Sequence, residues 1–146
     1  MGWRSRRAQE GKIRSVTIVD TSVWIDFLEG ADHWTKERLK EKLGDRESLL
    51  YTEMIFLEII QGIKEREGRE TLEREFGSLV RAPQKRSTTM LAAEIYQELQ
   101  SKGIRIRSVI DCLIAATAIE TGATILHKDR DFDFIAKHYP IMTEKK

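Results

Sequence analysis

The stretch Ser15-Val-Thr-Ile-Val-Asp20 decides the fold class of this chain. It is a short run of β-branched residues, which is typical of a buried strand. The strand ends at an acidic residue, and Thr21 and Ser22 behind it are good helix N-caps. Val23, Trp24, Phe27 and Leu28 then predict a short helix that ends at Gly30. A buried strand that leads directly into a helix is the beginning of an α/β fold.

The rest of the chain alternates between strands and helices in the same way. Further strands are predicted over 49–52, 80–82, 123–126 and 141–143. Further helices are predicted over 34–43, 53–66, 70–79, 87–102, 108–121 and 131–138. This order predicts a single α/β domain over residues 15–146, in which a short parallel β-sheet is sandwiched between helices. Residues 1–14 are predicted to form a flexible basic leader.

Composition excludes several classes of protein. A length of 146 residues suits one domain, and a single cysteine, Cys112, excludes an internal disulfide and a cysteine-rich zinc module. No apolar run approaches the roughly 20 residues that span a bilayer, and the basic N-terminus has no apolar segment of the secretory kind. A cytoplasmic protein without membrane contact is therefore expected. The net charge is +1, so any polyanion must be bound by local patches of charge.

Four acidic residues lie where a cation could be bound. Asp20 and Asp129 follow predicted strands, and ligands of open α/β sheets bind at the carboxyl ends of strands. Glu58 and Asp111 lie on predicted helices among apolar neighbours, where a carboxylate is unfavourable unless it is paired or bound to metal. Converging carboxylates repel one another, and a hard divalent cation such as Mg²⁺ relieves that repulsion. The acids therefore suggest a metal site.

Each acid also has an ordinary structural explanation. Asp111 completes a Ser-x-x-Asp pattern that is typical of a helix cap. Asp20 could end a strand or cap the next helix, and Glu58 could face solvent if the helix register differs by one residue. Asp129 and Asp131 are suited to a loop and an N-cap. The residues by themselves leave both explanations open.

Four segments together resemble the PIN-domain ribonucleases, and among them the VapC toxins of toxin–antitoxin pairs. The segments are Val19-Asp-Thr-Ser-Val-Trp-Ile-Asp26, Glu58-Ile-Ile-Gln-Gly62, Asp111-Cys-Leu-Ile-Ala-Ala-Thr-Ala118 and Leu126-His-Lys-Asp-Arg-Asp-Phe132. They occur in the order and at spacings similar to those of the family, and they span nearly the whole chain after the leader. The resemblance implies a metal-dependent endoribonuclease that hydrolyses RNA phosphodiester bonds and leaves 5′-phosphate and 3′-hydroxyl ends.

The resemblance also implies roles for individual residues. Asp20, Glu58, Asp111 and Asp129 look like catalytic ligands of Mg²⁺ or Mn²⁺. Asp131 competes with Asp129 as the fourth acid, because the last motif of the family often carries two aspartates.

Two further residues are expected to support this metal site. Ser22 resembles the small hydroxyl residue that supports the first acid. His127 stands where many relatives carry Thr or Ser, and a supporting role suits it better than ligation because Mg²⁺ prefers oxygen.

RNA, an antitoxin and a second copy of the chain are the expected partners. RNA contact requires cations, and the candidates nearest to the acids are Lys102, Arg105, Arg107 and Arg130. Weaker candidates are Arg81, Lys85 and Arg86. A set of apolar residues is available for an antitoxin groove and a homodimer, although core packing explains most of them: Trp24, Phe27, Trp34, Phe56 and Ile60. The alternative function is a catalytically silent PIN fold that binds RNA or protein.

Overall fold

A computed structural model describes residues 15–146 as an α/β fold built on a five-stranded parallel sheet. The strands are β1 (Thr17–Val19), β2 (Leu49–Tyr51), β3 (Val80–Arg81), β4 (Thr124–Leu126) and β5 (Met142–Thr143). Their order in the sheet is β3-β2-β1-β4-β5. The predicted fold class is confirmed. The predicted leader over 1–14 lies outside the described residues.

Helices connect the strands and flank the sheet. They are α1 (Thr21–Glu29), α2 (Trp34–Lys42), α3 (Glu53–Ile60), α4 (Arg66–Gly77), α5 (Arg86–Ser101), α6 (Val109–Thr121) and α7 (Arg130–Ala136). A short 3₁₀ turn, Arg46–Ser48, leads into β2. No helix within residues 15–146 has the length and apolar character needed to cross a bilayer.

The central strand β1 explains why the acids can meet. Its side chains are buried, as are those of Ile125 and Leu126 on β4, because helices cover this part of the sheet. Val19 is in register with Leu126, and the Asp20 amide donates to the Leu126 carbonyl at 2.9 Å. The two strands therefore end at the same level. The residues that follow them, Asp20 and the 127–129 loop, lie side by side.

Helix α6 carries the third element of this edge. The Ser108 hydroxyl accepts from the Ile110 amide at 3.1 Å, and the helix ends at Gly122 with a φ of 72°. That left-handed conformation favours glycine, so the predicted end of the helix is confirmed. Asp111 lies in the first turn, where its charge also suits the helix dipole.

The predicted helix over 53–66 is wrong in its second half. Helix α3 ends at Ile60, and the chain turns before α4 begins at Arg66, four residues ahead of the predicted start at 70. The Arg69 Nε donates to the Ile63 carbonyl at 2.8 Å, which stabilises the turn. Ile63 also packs closely on Gly68, where an added Cβ would lie 2.8 Å from its Cγ2. These contacts come from α4, so local sequence does not reveal them.

Candidate metal centre

Three aspartates form a tight cluster at the carboxyl edge of the sheet. One carboxylate oxygen from each of Asp111, Asp129 and Asp131 lies within 4.8 Å of the other two. Asp111 comes from α6, Asp129 directly precedes α7, and Asp131 lies in the first turn of α7. Oxygen ligands at this spacing are suited to a hard divalent cation. We call these three residues the aspartate cluster.

Asp20 borders the aspartate cluster from the end of β1. It is buried, and Ser22 donates a hydroxyl hydrogen bond to its Oδ2 at 2.8 Å. Burial raises the pKa of Asp20 above its usual value, the bond from Ser22 lowers it, and the charge of Asp129 raises it further. The electrostatic contact between Asp20 and the cluster follows from the alignment of β1 with β4.

Asp111 is the most perturbed acid of the site. Burial raises its pKa to about 8, and the charges of Asp20, Asp129 and Asp131 add to that effect. Its Oδ2 is buried and has no hydrogen-bond partner among residues 15–146. A buried acceptor without a donor is unfavourable unless a cation contacts it. This atom and the repulsion around it fit a divalent metal ion.

Arg107 bridges the other two acids of the cluster. Its Nη2 lies 3.1 Å from Asp129 Oδ1 and its Nε lies 3.8 Å from Asp131 Oδ2. Its backbone amide also donates to Asp131 Oδ2 at 3.1 Å. Burial raises the pKa of Asp129, but bonds from the Asp131 amide and Arg107 outweigh it and leave that pKa below its usual value. The bond to Asp129 likewise raises the pKa of Arg107.

Glu58 lies beside this arrangement rather than within the aspartate cluster. It is half-buried on α3, and its Oε1 accepts a hydrogen bond from the Thr21 hydroxyl at 2.9 Å. Thr21 directly follows Asp20, so Glu58 adjoins the Asp20 side of the site. Its apolar neighbours and the family resemblance both pointed to this acid, and its hydrogen bond with Thr21 links it to the site through α1.

His127 supports the loop that carries Asp129. Its ring packs against Phe132 with centroids 4.8 Å apart, and its Nε2 lies 3.8 Å from Asp133 Oδ1. Burial lowers the pKa of His127, although Asp133 and Asp20 oppose this effect. Burial therefore favours the neutral imidazole, and its contact with Phe132 makes it a packing group.

Sequence reasoning missed one ion pair that fixes the same loop. Lys128 contacts the buried carboxylate of Asp26 on α1, 102 residues earlier in the chain. Asp26 closes the first of the four family-like segments, which is the signal that could have drawn attention to it. The pair ties the loop after β4 to α1, so it helps to hold Asp129 next to Asp20.

The predicted RNA-contacting cations divide into different environments. Arg107 contacts the aspartate cluster, whereas Lys102 pairs with Glu98 at 3.2 Å within α5. Arg105 lines a separate groove of about 350 Å³, and Arg130 is exposed at the start of α7. Among the weaker candidates, Arg81 pairs with Glu53 at 3.4 Å, and Lys85 and Arg86 are exposed.

Comparison with known proteins agrees with this architecture. The model of the PIN domain family matches residues 17–138. Ribonuclease VapC11 of Mycobacterium tuberculosis and VapC ribonuclease Mb1587 of Mycobacterium bovis are each 33% identical over 122 residues, which cover 82% of this chain and 91% of the relative. Among solved structures, VapBC-1 from nontypeable Haemophilus influenzae has a TM-score of 0.69 at 17% identity and covers 89% of this chain and 97% of its own. FitAcB from Neisseria gonorrhoeae has a TM-score of 0.64 at 16% identity, with 89% and 97% covered.

Proposed function

Because this chain belongs to the PIN domain family and is homologous to VapC ribonucleases, we propose that it is the toxin of a type II toxin–antitoxin pair and cleaves RNA as a metal-dependent endoribonuclease. The observation that carries the proposal is the aspartate cluster. Its three carboxylates lie within 4.8 Å of one another, and the buried Oδ2 of Asp111 has no partner within residues 15–146.

The residues fit Mg²⁺ or Mn²⁺, which bind carboxylate oxygens. Asp20 and the aspartate cluster would hold the ion, with Glu58 as an adjacent acceptor. When bound, the ion would acidify water and neutralise charge that develops on the phosphate.

The chain itself holds the carboxylates in position. The Ser22 hydroxyl fixes Asp20 at 2.8 Å, and the Asp131 amide fixes Asp129 at 2.9 Å. The Arg107 amide fixes Asp131. Pre-positioned ligands of this kind lower the reorganisation that metal binding and catalysis require.

Binding of an RNA strand at this edge of the sheet requires cations around an acidic centre. Arg107 and Arg130 flank Asp129 and Asp131, and both side chains are exposed enough to reach a phosphate. We propose them as the inner contacts. Arg105 and Lys102 would contact RNA phosphates further from the aspartate cluster.

The proposed antitoxin site is an apolar groove between α1 and α4, which we call the α1–α4 groove. It has a volume of about 630 Å³, and Trp24, Phe27 and Phe76 form much of its wall. Glu65 and Glu67 at the rim favour basic residues beside the apolar ones.

Replacement of Leu28 by lysine is expected to weaken antitoxin binding about 10-fold or more and to leave RNA cleavage unchanged. Leu28 lines the α1–α4 groove but is 48% exposed, so the change removes apolar contact area without opening the core. Titration calorimetry with the co-expressed antitoxin would measure the effect.

Met90→Lys is the matched control for Leu28→Lys, because Met90 is an exposed apolar residue that does not line the groove. Equal antitoxin affinity of the two variants would exclude the α1–α4 groove as the docking site.

We further propose a homodimer that acts in the cytoplasm. Apolar side chains outside the α1–α4 groove remain exposed, among them Leu57 and Val109. Contact between two copies would remove them from water. A monomeric mass by light scattering at micromolar concentration would contradict the dimer.

The proposed activity predicts discrete cleavage of a mixed cellular RNA pool by the purified, antitoxin-free protein. Fragments should form with Mg²⁺ or Mn²⁺, disappear with EDTA, and carry 5′-phosphate ends. Mapping of those ends would name the target. Binding of RNA without cleavage in either metal would instead support a catalytically silent PIN fold that acts as a binding module.

A further inference from the structure

A second opening lies beside the proposed metal site. Its volume is about 240 Å³, and it is formed where the start of α2 meets the loop after β4 and the C-terminal residues. His33, the N-cap of α2, and Trp34, its first residue, form one wall, and His127 and Lys128 of the loop form another. We call this opening the α2 pocket. Its volume is below the roughly 300–1,000 Å³ of drug-sized ligand sites, so it suits a single ring system.

The α2 pocket shares a loop with the aspartate cluster. His127 lines the pocket, and Asp129 of the cluster lies two residues further along. Lys128, between them, is held by its contact with the buried Asp26. A strand whose phosphate lies at the cluster would therefore bring a neighbouring nucleotide to the pocket.

The rings of the pocket are held in place before any ligand binds. His33 Nδ1 lies 2.8 Å from the Thr35 hydroxyl oxygen and accepts from the Thr35 amide at 3.3 Å. Trp34 is half-buried, and Arg38 lies over its ring at 5.9 Å from the centroid. The His33 and Trp34 rings are 5.9 Å apart and tilted by 34°. A fixed aromatic ring at the wall of an open pocket is a surface on which an unpaired base can stack.

The charges around the pocket suit a nucleotide. Glu144 is engaged by Arg38 at 2.6 Å and by Lys42 at 2.8 Å, so its charge is balanced within the protein. Lys145 and Lys146 line the pocket and are exposed to solvent, where they can reach phosphates.

One acid at the wall adds the means to recognise a base edge. The side chain of Asp133 is 58% exposed, and it offers carboxylate oxygens to the amino group of a base. His127 Nε2 lies 3.8 Å from that carboxylate, at the wall of the same pocket.

We propose that the α2 pocket binds one unpaired base of the RNA strand next to the cleaved phosphate, and that Trp34 is the stacking platform for that base. This inference rests on the proposed ribonuclease function. It predicts a base preference at one position beside the cleavage site. The ligand class is single-stranded RNA, because a base within a duplex cannot leave the stack without losing its pairing.

The test compares Trp34→Leu and Trp34→Phe in the Asp20→Asn background, where cleavage does not interfere. The probe is a labelled 12-nucleotide single-stranded RNA of mixed sequence, and fluorescence anisotropy measures its affinity. Trp34→Leu should lower affinity about 10-fold, since stacking of one base contributes about this much, while Trp34→Phe should remain within about 2-fold. Mn²⁺ affinity, measured by calorimetry on the same two Trp34 variants with Asp20 retained, should stay unchanged.

Three results would contradict base binding in the α2 pocket. They are unchanged RNA affinity in Trp34→Leu, equal losses of RNA affinity in Trp34→Leu and Trp34→Phe, or a changed Mn²⁺ affinity. If circular dichroism shows that Trp34→Leu is unfolded, the paired change Lys145→Ala and Lys146→Ala decides the question. It should lower the salt dependence of binding by about 0.7 per lysine that contacts a phosphate, and an unchanged slope would reject the pocket. If the wild type cleaves no RNA but Trp34→Leu still lowers RNA affinity, the proposed ribonuclease activity is wrong and the α2 pocket stands.

Discussion

Asp20→Asn and Asp111→Asn should each reduce metal-dependent RNA cleavage by at least about 10³-fold while the protein remains folded. Both acids are buried at the carboxyl edge of the sheet. The change to asparagine replaces one charged carboxylate oxygen with an uncharged amide nitrogen, which does not bind Mg²⁺. The measurement is the rate of fragment formation in Mg²⁺ and Mn²⁺, with circular dichroism as the check on folding. Asp32→Asn is the matched control, because its side chain is fully exposed. Activity in Asp20→Asn equal to that of the wild type would remove Asp20 from the site.

Asp111→Asn should also raise the stability of the metal-free protein at neutral and basic pH. The pKa of Asp111 is raised to about 8, whereas that of an aspartate in the unfolded chain is about 3.9. The folded state therefore binds this proton more tightly. Its contribution to stability is complete below about pH 4 and is lost as the pH rises through 8. Asparagine does not ionise, so the stabilities of the wild type and Asp111→Asn should diverge as the pH rises from 4 to 8.

Thermal unfolding in EDTA measures this difference. At pH 8 Asp111→Asn should melt about 3–6 °C above the wild type, and at pH 4 the two should melt together. Addition of Mg²⁺ should raise the melting temperature of the wild type and not that of the variant, because only the wild type offers the buried Oδ2. A variant that melts below the wild type at pH 8 in EDTA would show that Asp111 is stabilised by its surroundings rather than strained by them.

Arg107→Gln should change metal and RNA binding in opposite directions. The guanidinium lies 3.1 Å from Asp129 and 3.8 Å from Asp131, where it neutralises carboxylates that a metal ion would otherwise contact. Its removal should tighten Mn²⁺ binding about 2–5-fold, which corresponds to an ion pair of about 0.5–1 kcal/mol. RNA affinity should fall about 10-fold, and its salt dependence should fall by about 0.7, because one phosphate contact is lost.

Calorimetry with Mn²⁺ and anisotropy with single-stranded RNA separate these two effects. Arg107→Lys is the informative second variant, since lysine keeps the charge but lacks the planar fork that contacts both acids. It should retain most of the RNA affinity. Weaker Mn²⁺ binding in Arg107→Gln would mean that Arg107 supports the ligands instead of competing with the ion.

Much of the fold followed from local sequence. The β-branched run before Asp20 and the cap residues Ser108 and Gly122 predicted β1 and α6 correctly, because burial on both faces and a left-handed C-terminal residue leave a strong local pattern. The helix predicted over 53–66 is wrong from Gln61 onward, because α3 ends at Ile60. Gly62 lies in the turn and is unfavourable in a helix interior, so it is a local signal that the prediction passed over, whereas Lys64, Glu65 and Arg66 are acceptable in a helix. The turn depends on Ile63 contacting Gly68 and Arg69 from the next helix.

The candidate site was likewise predictable from the sequence only in part. The sequence and its family resemblance named Asp20, Glu58, Asp111 and Asp129 as candidates, because their neighbours carry recurring motifs. Only the tertiary structure decided that Asp131 joins Asp111 and Asp129 within 4.8 Å, and that Arg107 faces the acids. The contacts of Arg107 with Asp129 and Asp131 link residues 22 and 24 positions apart, and they depend on how α6, α7 and the loop before α6 pack together. A local pattern fixes which side chains a strand or helix presents, but the distance between charges on different elements is set by packing alone.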